Sequence, residues 1–150
     1  QYTPGYKFNY WEMKGVPVRI EIGPRDIENN QCIVVRRDTL EKSTISLDNI
    51  EEEITKLLED IHTNMYNMAK EVREKRTNIA INMDEFTEKI NANQGYIKTM
   101  WCGSAECEEK IHELTGAKSR CIPFEQEHIG EKCVYCGKPA DTMVVWGRQY

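Results

Sequence analysis

The chain has 150 residues, 39% of them apolar and 30% charged, with a formal net charge of −5. That length holds one ordinary domain or two small ones, and the composition excludes a disordered polyelectrolyte. The acidic balance also excludes a surface coated with Lys and Arg for nonspecific nucleic-acid binding, so no DNA partner is expected. The charge is graded along the chain: residues 1–42 carry seven Lys/Arg against six acids, whereas residues 43–90 carry six against eleven. An RNA would meet least repulsion near the beginning. No run approaches the ~20 apolar residues of a membrane span, and no export signal is visible, so a cytoplasmic, membrane-free setting is expected. Gln1 to Tyr6 reads as the interior of a longer sequence.

Tyr2 to Asp26 begins as an aromatic, mildly basic stretch, with Tyr6, Lys7, Phe8, Tyr10, Trp11 and Lys14 interleaved. Such a mixture suits stacking on unpaired bases and equally suits packing at a sheet edge. Val16 to Ile22 alternates apolar and polar residues, which predicts a strand with Val16, Val18, Ile20 and Ile22 facing inward. Gly23-Pro24 ends it. After a polar loop, Cys32 to Val35 predicts a short buried strand.

Asp48 to about Lys75 is the clearest element. Ile50, Ile54, Leu57, Leu58, Ile61, Met65, Met68 and Val72 recur at spacings of three and four, one stripe of a long amphipathic helix packed on a core. Asp48 is the expected N-cap, with Glu51 three residues on. Beyond Arg76, Ile79 and Ile81 suggest a short strand, and Asn82 caps a second helix that Gly95 stops. Tyr96 to Met100 reads as a strand and Ser104 to Leu114 as a helix with Glu106, Glu108 and Glu109 at its electropositive start. Arg120 to Phe124 and Met143 to Trp146 complete a small α/β arrangement. A boundary near residues 70–77 is expected, dividing the chain into 1–70 and 71–150.

Six cysteines are present, and four form two close pairs: C-x4-C at Cys102 and Cys107, and C-x2-C at Cys133 and Cys136. Zinc takes four thiolates at tetrahedral corners, and each close pair delivers two from one tight turn. Gly137 permits the left-handed turn after the second pair. A disulfide framework fits loop-rich secreted chains. A redox C-x-x-C would open a helix, whereas Cys136 is followed by Gly-Lys-Pro. Zn2+ is therefore the expected ligand, in a structural role because four thiolates leave no position for water. Cys32 and Cys121 lie in apolar runs and read as ordinary buried thiols. His62, His112 and His128 are scattered and receive no ligand role.

The run Thr3-Pro4-Gly5-Tyr6-Lys7-Phe8-Asn9-Tyr10-Trp11-Glu12-Met13-Lys14-Gly15-Val16-Pro17 continues through Arg19-Ile20-Glu21-Ile22-Gly23-Pro24-Arg25-Asp26. Together with Val35-Arg36-Arg37-Asp38, Gly116-Ala117-Lys118-Ser119-Arg120-Cys121-Ile122-Pro123-Phe124, the four spaced cysteines and the tail Gly147-Arg148-Gln149-Tyr150, it resembles prolyl-tRNA synthetase of the archaeal/eukaryotic-like type. The resemblance covers the whole chain. It implies an α/β (α+β) fold: the later part of a mixed-sheet anticodon-binding domain over 1–70, including most of the long helix, then a C-terminal zinc-binding domain over 71–150. It implies a class II enzyme, a cytoplasmic homodimer that joins proline to tRNA(Pro) using ATP and Mg2+ in a catalytic domain outside these residues; no catalytic residue is expected here. The anticodon contacts it implies are Phe8, Glu12, Arg19, Arg25 and Lys42, and it aims the carboxylate of Tyr150 towards the active site. Guanine offers N1–H and N2–H donors to a carboxylate and O6/N7 acceptors to a guanidinium, so Glu12 and Arg19 suit opposite edges of one base. A plain salt bridge between Glu12 and Arg19 and a turn-capping role for Arg25 are the alternatives. A stand-alone RNA- or protein-binding module derived from that family is the alternative for the whole chain.

Overall fold

The computed structural model describes residues 2–92 and 95–149. It is a mixed α/β structure that divides into two compact units, Gln1–Ala69 and Lys70–Tyr150. No helix among the described residues is long and apolar enough to cross a membrane.

The first unit opens with a helix absent from the sequence expectations, α1 (Pro4–Met13). Thr3 caps it through its hydroxyl, which accepts the Tyr6 N–H at 3.3 Å, and Pro4 takes the first helical position, where its missing N–H costs nothing. No residue of α1 is buried, so no apolar stripe revealed it beforehand. Strand β1 (Val18–Glu21) follows, then the short helix α2 (Pro24–Glu28), whose Asp26 carboxylate accepts the Gly23 N–H at 2.8 Å. Gly23-Pro24 therefore ends a strand and starts a helix. Strands β2 (Gln31–Arg36) and β3 (Lys42–Ser46) complete an antiparallel sheet in the order β1-β2-β3.

The inward face predicted for Val16 to Ile22 is only partly realised. Ile20 pairs in register with the buried Val34, yet Ile20 and Ile22 are 43% and 53% exposed. The reason is position: β1 is an edge strand of this sheet, and the core centres on Cys32, Val34 and Val35 of the middle strand.

Helix α3 (Ile50–Lys75) forms as its periodicity required, preceded by a 3₁₀ turn at Leu47–Asn49. The cap lies two residues earlier than expected. The Ser46 hydroxyl accepts the Asp48 N–H at 3.2 Å, while Asp48 itself accepts from the Asn30 side chain at 2.7 Å. Of the apolar stripe, Ile61 is buried and Ile50, Ile54 and Leu57 are half-buried, but Met65, Met68 and Val72 are exposed. Core packing thus describes only the first half of the stripe.

The second unit contains β4 (Thr77–Ile79), α4 (Met83–Ala92), β5 (Tyr96–Trp101), α5 (Ala105–Thr115), β6 (Ala117–Cys121) and β7 (Thr142–Arg148). Its sheet runs β4-β5-β7-β6, with β4 parallel to β5 and the other pairs antiparallel. Asn82 caps α4 as expected, its Oδ1 accepting the Glu85 N–H at 2.9 Å. The core joins Phe86 and Ile90 of α4, Ile97 of β5, Ile111 of α5, and Val144 and Trp146 of β7. The Trp146 indole N–H donates to Thr99 Oγ1 at 2.8 Å, so the one polar atom of this buried ring is satisfied. Gly95 lies so close to the Arg76 backbone that a Cβ there would meet its carbonyl oxygen at 1.9 Å, and only glycine fits. The strand predicted over Arg120–Phe124 is displaced towards the N-terminus. β6 begins at Ala117 and ends at Cys121 with a register shift at Ser119/Cys121; it is an edge strand exposed from Lys118 onward, so Cys121 is exposed rather than buried.

Candidate functional site

Two groups of residues carry chemistry, one in each unit. In the second unit, Cys102 follows β5 directly and Cys107 lies in the first turn of α5, so the strand-to-helix corner presents the first pair. Cys133 and Cys136 flank a tight turn. The Gly137 N–H donates to the Cys133 carbonyl at 3.0 Å and the Cys133 N–H to the Lys138 carbonyl at 2.8 Å, with Gly137 at φ 69°. The Val134 N–H donates to the Met100 carbonyl at 3.0 Å, which ties this turn to β5 just ahead of Cys102.

All four sulfur atoms lie within 4.8 Å of one another, and none is in a disulfide. A tetrahedral Zn–S4 centre with bonds of ~2.3 Å has sulfur–sulfur edges of ~3.8 Å. The Cys102–Cys107 and Cys102–Cys136 separations are 3.6 and 3.7 Å, close to those edges, so the cluster is compatible with a zinc site. No histidine joins the group among the described residues. The cage is also asymmetric. Cys107 and Cys133 are buried beside Met100, Ala140 and Met143, whereas Cys136 is exposed. Burial, followed by the neighbouring thiols, pushes the Cys107 thiol up to about 12, while the Lys138 backbone amide draws Cys136 down to about 7.

That asymmetry has a measurable consequence. In metal-free protein carrying Cys121→Ser, iodoacetamide is expected to label Cys136 before any other cysteine of the cage. Its rate should rise as the pH increases through about 7, because the thiolate is the nucleophile. Mapping the label by mass spectrometry checks this. Equal rates at Cys136 and Cys107 would contradict it.

In the first unit, α1 and β1 are joined by a turn at Lys14-Gly15, with Gly15 at φ 85°. This reversal brings Glu12 at the end of the helix against Arg19 on the strand. Arg19 Nη1 donates to Glu12 Oε1, and Arg19 Nε donates to Glu21 Oε1 at 3.0 Å. The guanidinium lies over the Phe8 ring, 4.0 Å from its centroid. Lys42 of β3 approaches the other oxygen of Glu21 at 3.7 Å. Phe8, Glu12 and Arg19 line one pocket of about 320 Å³ together with Lys7, Trp11, Val16 and Val18.

Four of the residues singled out from the sequence are therefore brought together: Phe8, Glu12 and Arg19 in direct contact, and Lys42 through Glu21. Arg25 is exposed on α2, and no side-chain hydrogen bond or ion pair holds it among the described residues. The turn-capping role considered for it belongs to Asp26. Tyr150 lies outside the described residues. Glu21 escaped the sequence reading; its position two residues beyond Arg19, on the same strand face, was the available signal.

Comparison with known proteins assigns both groups to one class. Residues 1–57 match the family described as anticodon binding domain. Residues 83–150 match the family described as prolyl-tRNA synthetase, C-terminal. The two matches together place the chain's similarity with the C-terminal part of prolyl-tRNA synthetases. It is 59% identical over 149 residues to proline–tRNA ligase 2 of Clostridioides difficile, covering 99% of this chain and 31% of that protein. Over 148 residues it is 53% identical to proline–tRNA ligase 2 of Bacillus cereus, covering 99% of this chain and 31% of the relative. Proline–tRNA ligase of Ruminiclostridium cellulolyticum is 52% identical over 147 residues, covering 98% of this chain and 31% of its own length. The chain thus spans about a third of the curated relatives it matches.

Proposed function

We propose that this chain is the tRNA-reading end of a proline–tRNA ligase, which joins proline to tRNA(Pro) with ATP and Mg2+ as a cytoplasmic homodimer. Its first unit, the later part of the anticodon-binding domain, contacts the anticodon through Phe8, Glu12, Arg19, Arg25 and Lys42. Its second unit is a zinc-binding domain in which Cys102, Cys107, Cys133 and Cys136 hold a structural Zn2+.

The observation that carries the RNA reading is the Glu12–Arg19 pair against Phe8, in a pocket within the segment that matches the anticodon-binding family. In the free chain each charged group occupies its neighbour. A guanine replaces both contacts at once: its N1–H and N2–H donors satisfy Glu12, and its O6 and N7 acceptors satisfy Arg19. An adenine presents an N6 donor at the edge where Arg19 needs an acceptor, and lacks the paired donors Glu12 needs. The pair is part-buried, with side chains 22% and 36% exposed, so a base that separates them has to replace both hydrogen-bonding partners. The bland reading, a surface salt bridge, describes the free state and is compatible with the bound one.

Arg19→Ala in the full-length protein is expected to weaken binding of proline tRNA by ~1–3 kcal/mol and to relax the preference for guanine in the anticodon. Filter binding with anticodon-substituted tRNAs measures both effects. An equal loss for every tRNA would mark Arg19 as a backbone contact and end the base-reading role.

A further inference from the structure

Arg19 and Lys42 stand on outer strands of the three-stranded sheet but in one register row. Arg19 pairs with Val35 on β2, and Val35 pairs with Lys42 on β3. Residues so paired share a face, and two strand spacings of ~4.8 Å set their backbones ~10 Å apart. That is too far for the two cations to be aligned by contact with each other. Glu21 shares the face, because it lies two residues beyond Arg19. Its carboxylate is positioned between them: Oε1 accepts from Arg19 Nε at 3.0 Å, and Oε2 lies 3.7 Å from Lys42 Nζ. The side chain is 26% exposed, more covered than the Lys42 side chain at 58%.

The Arg19 guanidinium is consequently held on three sides: Nε by Glu21, Nη1 by Glu12, and one face by Phe8. When a base takes Glu12, the first hold and the third remain. Those two fix the plane of the guanidinium and leave its Nη edge free, the arrangement needed for a bidentate contact. From this geometry we infer that Glu21 is a positioning residue for base reading. It touches no base itself; it orients Arg19 and restrains Lys42, so that a flexible pair of cations becomes a discriminating one. This inference rests on the anticodon-binding reading of the same site.

A positioning role differs from a merely stabilising one in the sign of its effects. Glu21 is an anion beside two cations that face RNA, so it weakens nonspecific attraction to phosphate. Glu21→Gln keeps the shape, removes the charge, and cannot accept from both cations with strength. The experiment measures binding of full-length protein to stem–loop RNAs carrying the proline anticodon guanines, and to the same loops with each guanine changed to adenine. For Glu21→Gln, the affinity for adenine loops should stay level or rise, and the guanine-over-adenine preference should fall about tenfold. Glu21→Asp, which retains the charge but shortens the reach, should fall between the two. Thermal melting of each variant should remain within a degree or two of the parent.

Unchanged preference, or equal weakening for every loop, overturns the role of Glu21. Arg19→Ala separates the causes. If it abolishes the preference while Glu21→Gln does not, only the positioning role fails. If it also leaves the preference intact, the anticodon reading fails and the inference falls with it.

Discussion

Cys133→Ser is expected to cost the second unit its zinc and, with it, the largest single share of its stability. Cys133 is buried among Met100, Cys107, Ala140 and Met143, so serine puts a poorly ligating hydroxyl where a thiolate is required. Structural zinc in small peptides is worth ~10–16 kcal/mol apparent, because the unfolded chain has no preformed site. The loss here will be smaller, since Phe86, Ile97, Ile111 and Trp146 form a core that does not depend on the metal. A zinc ion on the four thiols would fasten the Cys133–Cys136 turn to the β5–α5 corner, where Val134 is bonded to Met100. Four thiols at these separations also resist ionising together, and the cation removes that conflict. Calorimetry with and without a chelator, alongside elemental analysis, checks the expectation. The parent should bind one zinc and melt earlier when stripped, and Cys133→Ser should behave like the stripped parent. Identical melting of parent, stripped parent and variant would remove zinc from the account.

A second large effect is expected at Asp38. Its side chain is only 3% exposed and takes two hydrogen bonds from Arg36, at 3.0 and 2.7 Å, and one from the Asn64 side chain at 2.7 Å. Asp38 thereby ties the turn after β2 to helix α3. Asp38→Ala strands the Arg36 guanidinium and the Asn64 amide, and should destabilise the first unit by about 2–4 kcal/mol. The Arg36 hydrogen bonds hold the Asp38 carboxyl far below its ordinary 3.8. A group whose pKa is depressed by folding adds stability that is complete above its unfolded value and disappears as the pH drops. The first unit should therefore lose stability as the pH falls below about 3.8, and Asp38→Ala should flatten that part of the profile. Urea melts of both proteins between pH 2 and 6 test this; parallel profiles would show that Asp38 is not the group responsible.

The two sites differ in how far they could be read beforehand. The cysteine cage was legible because its ligands come in pairs within one turn each, and spacing alone constrains their geometry. The Asn82 cap and the α3 period were legible for the same reason: each depends on residues within a few positions of one another. Helix α1 was not, because its signals are a Thr-Pro start and nothing else; aromatic residues cover it without forming a buried stripe. Cys121 was misread as buried because Ile122, Pro123 and Phe124 follow it, whereas it ends an edge strand exposed on both faces. Ile20 was misread because alternation reveals which face a residue is on but not whether its strand lies at an edge.

By itself, then, the amino-acid sequence determined the long helix, the strands of the second unit in outline, the set of four paired cysteines and the resemblance to prolyl-tRNA synthetases. Only the tertiary structure decided that Glu12 and Arg19 meet over Phe8, that Glu21 lies between Arg19 and Lys42, and that Cys136 is the accessible corner of the cage. Those facts depend on a left-handed turn at Gly15, on strand register and on which side of a fold faces water. They arise from how one turn, one strand pairing and one packed surface are placed in space, which no periodicity or spacing in the sequence encodes.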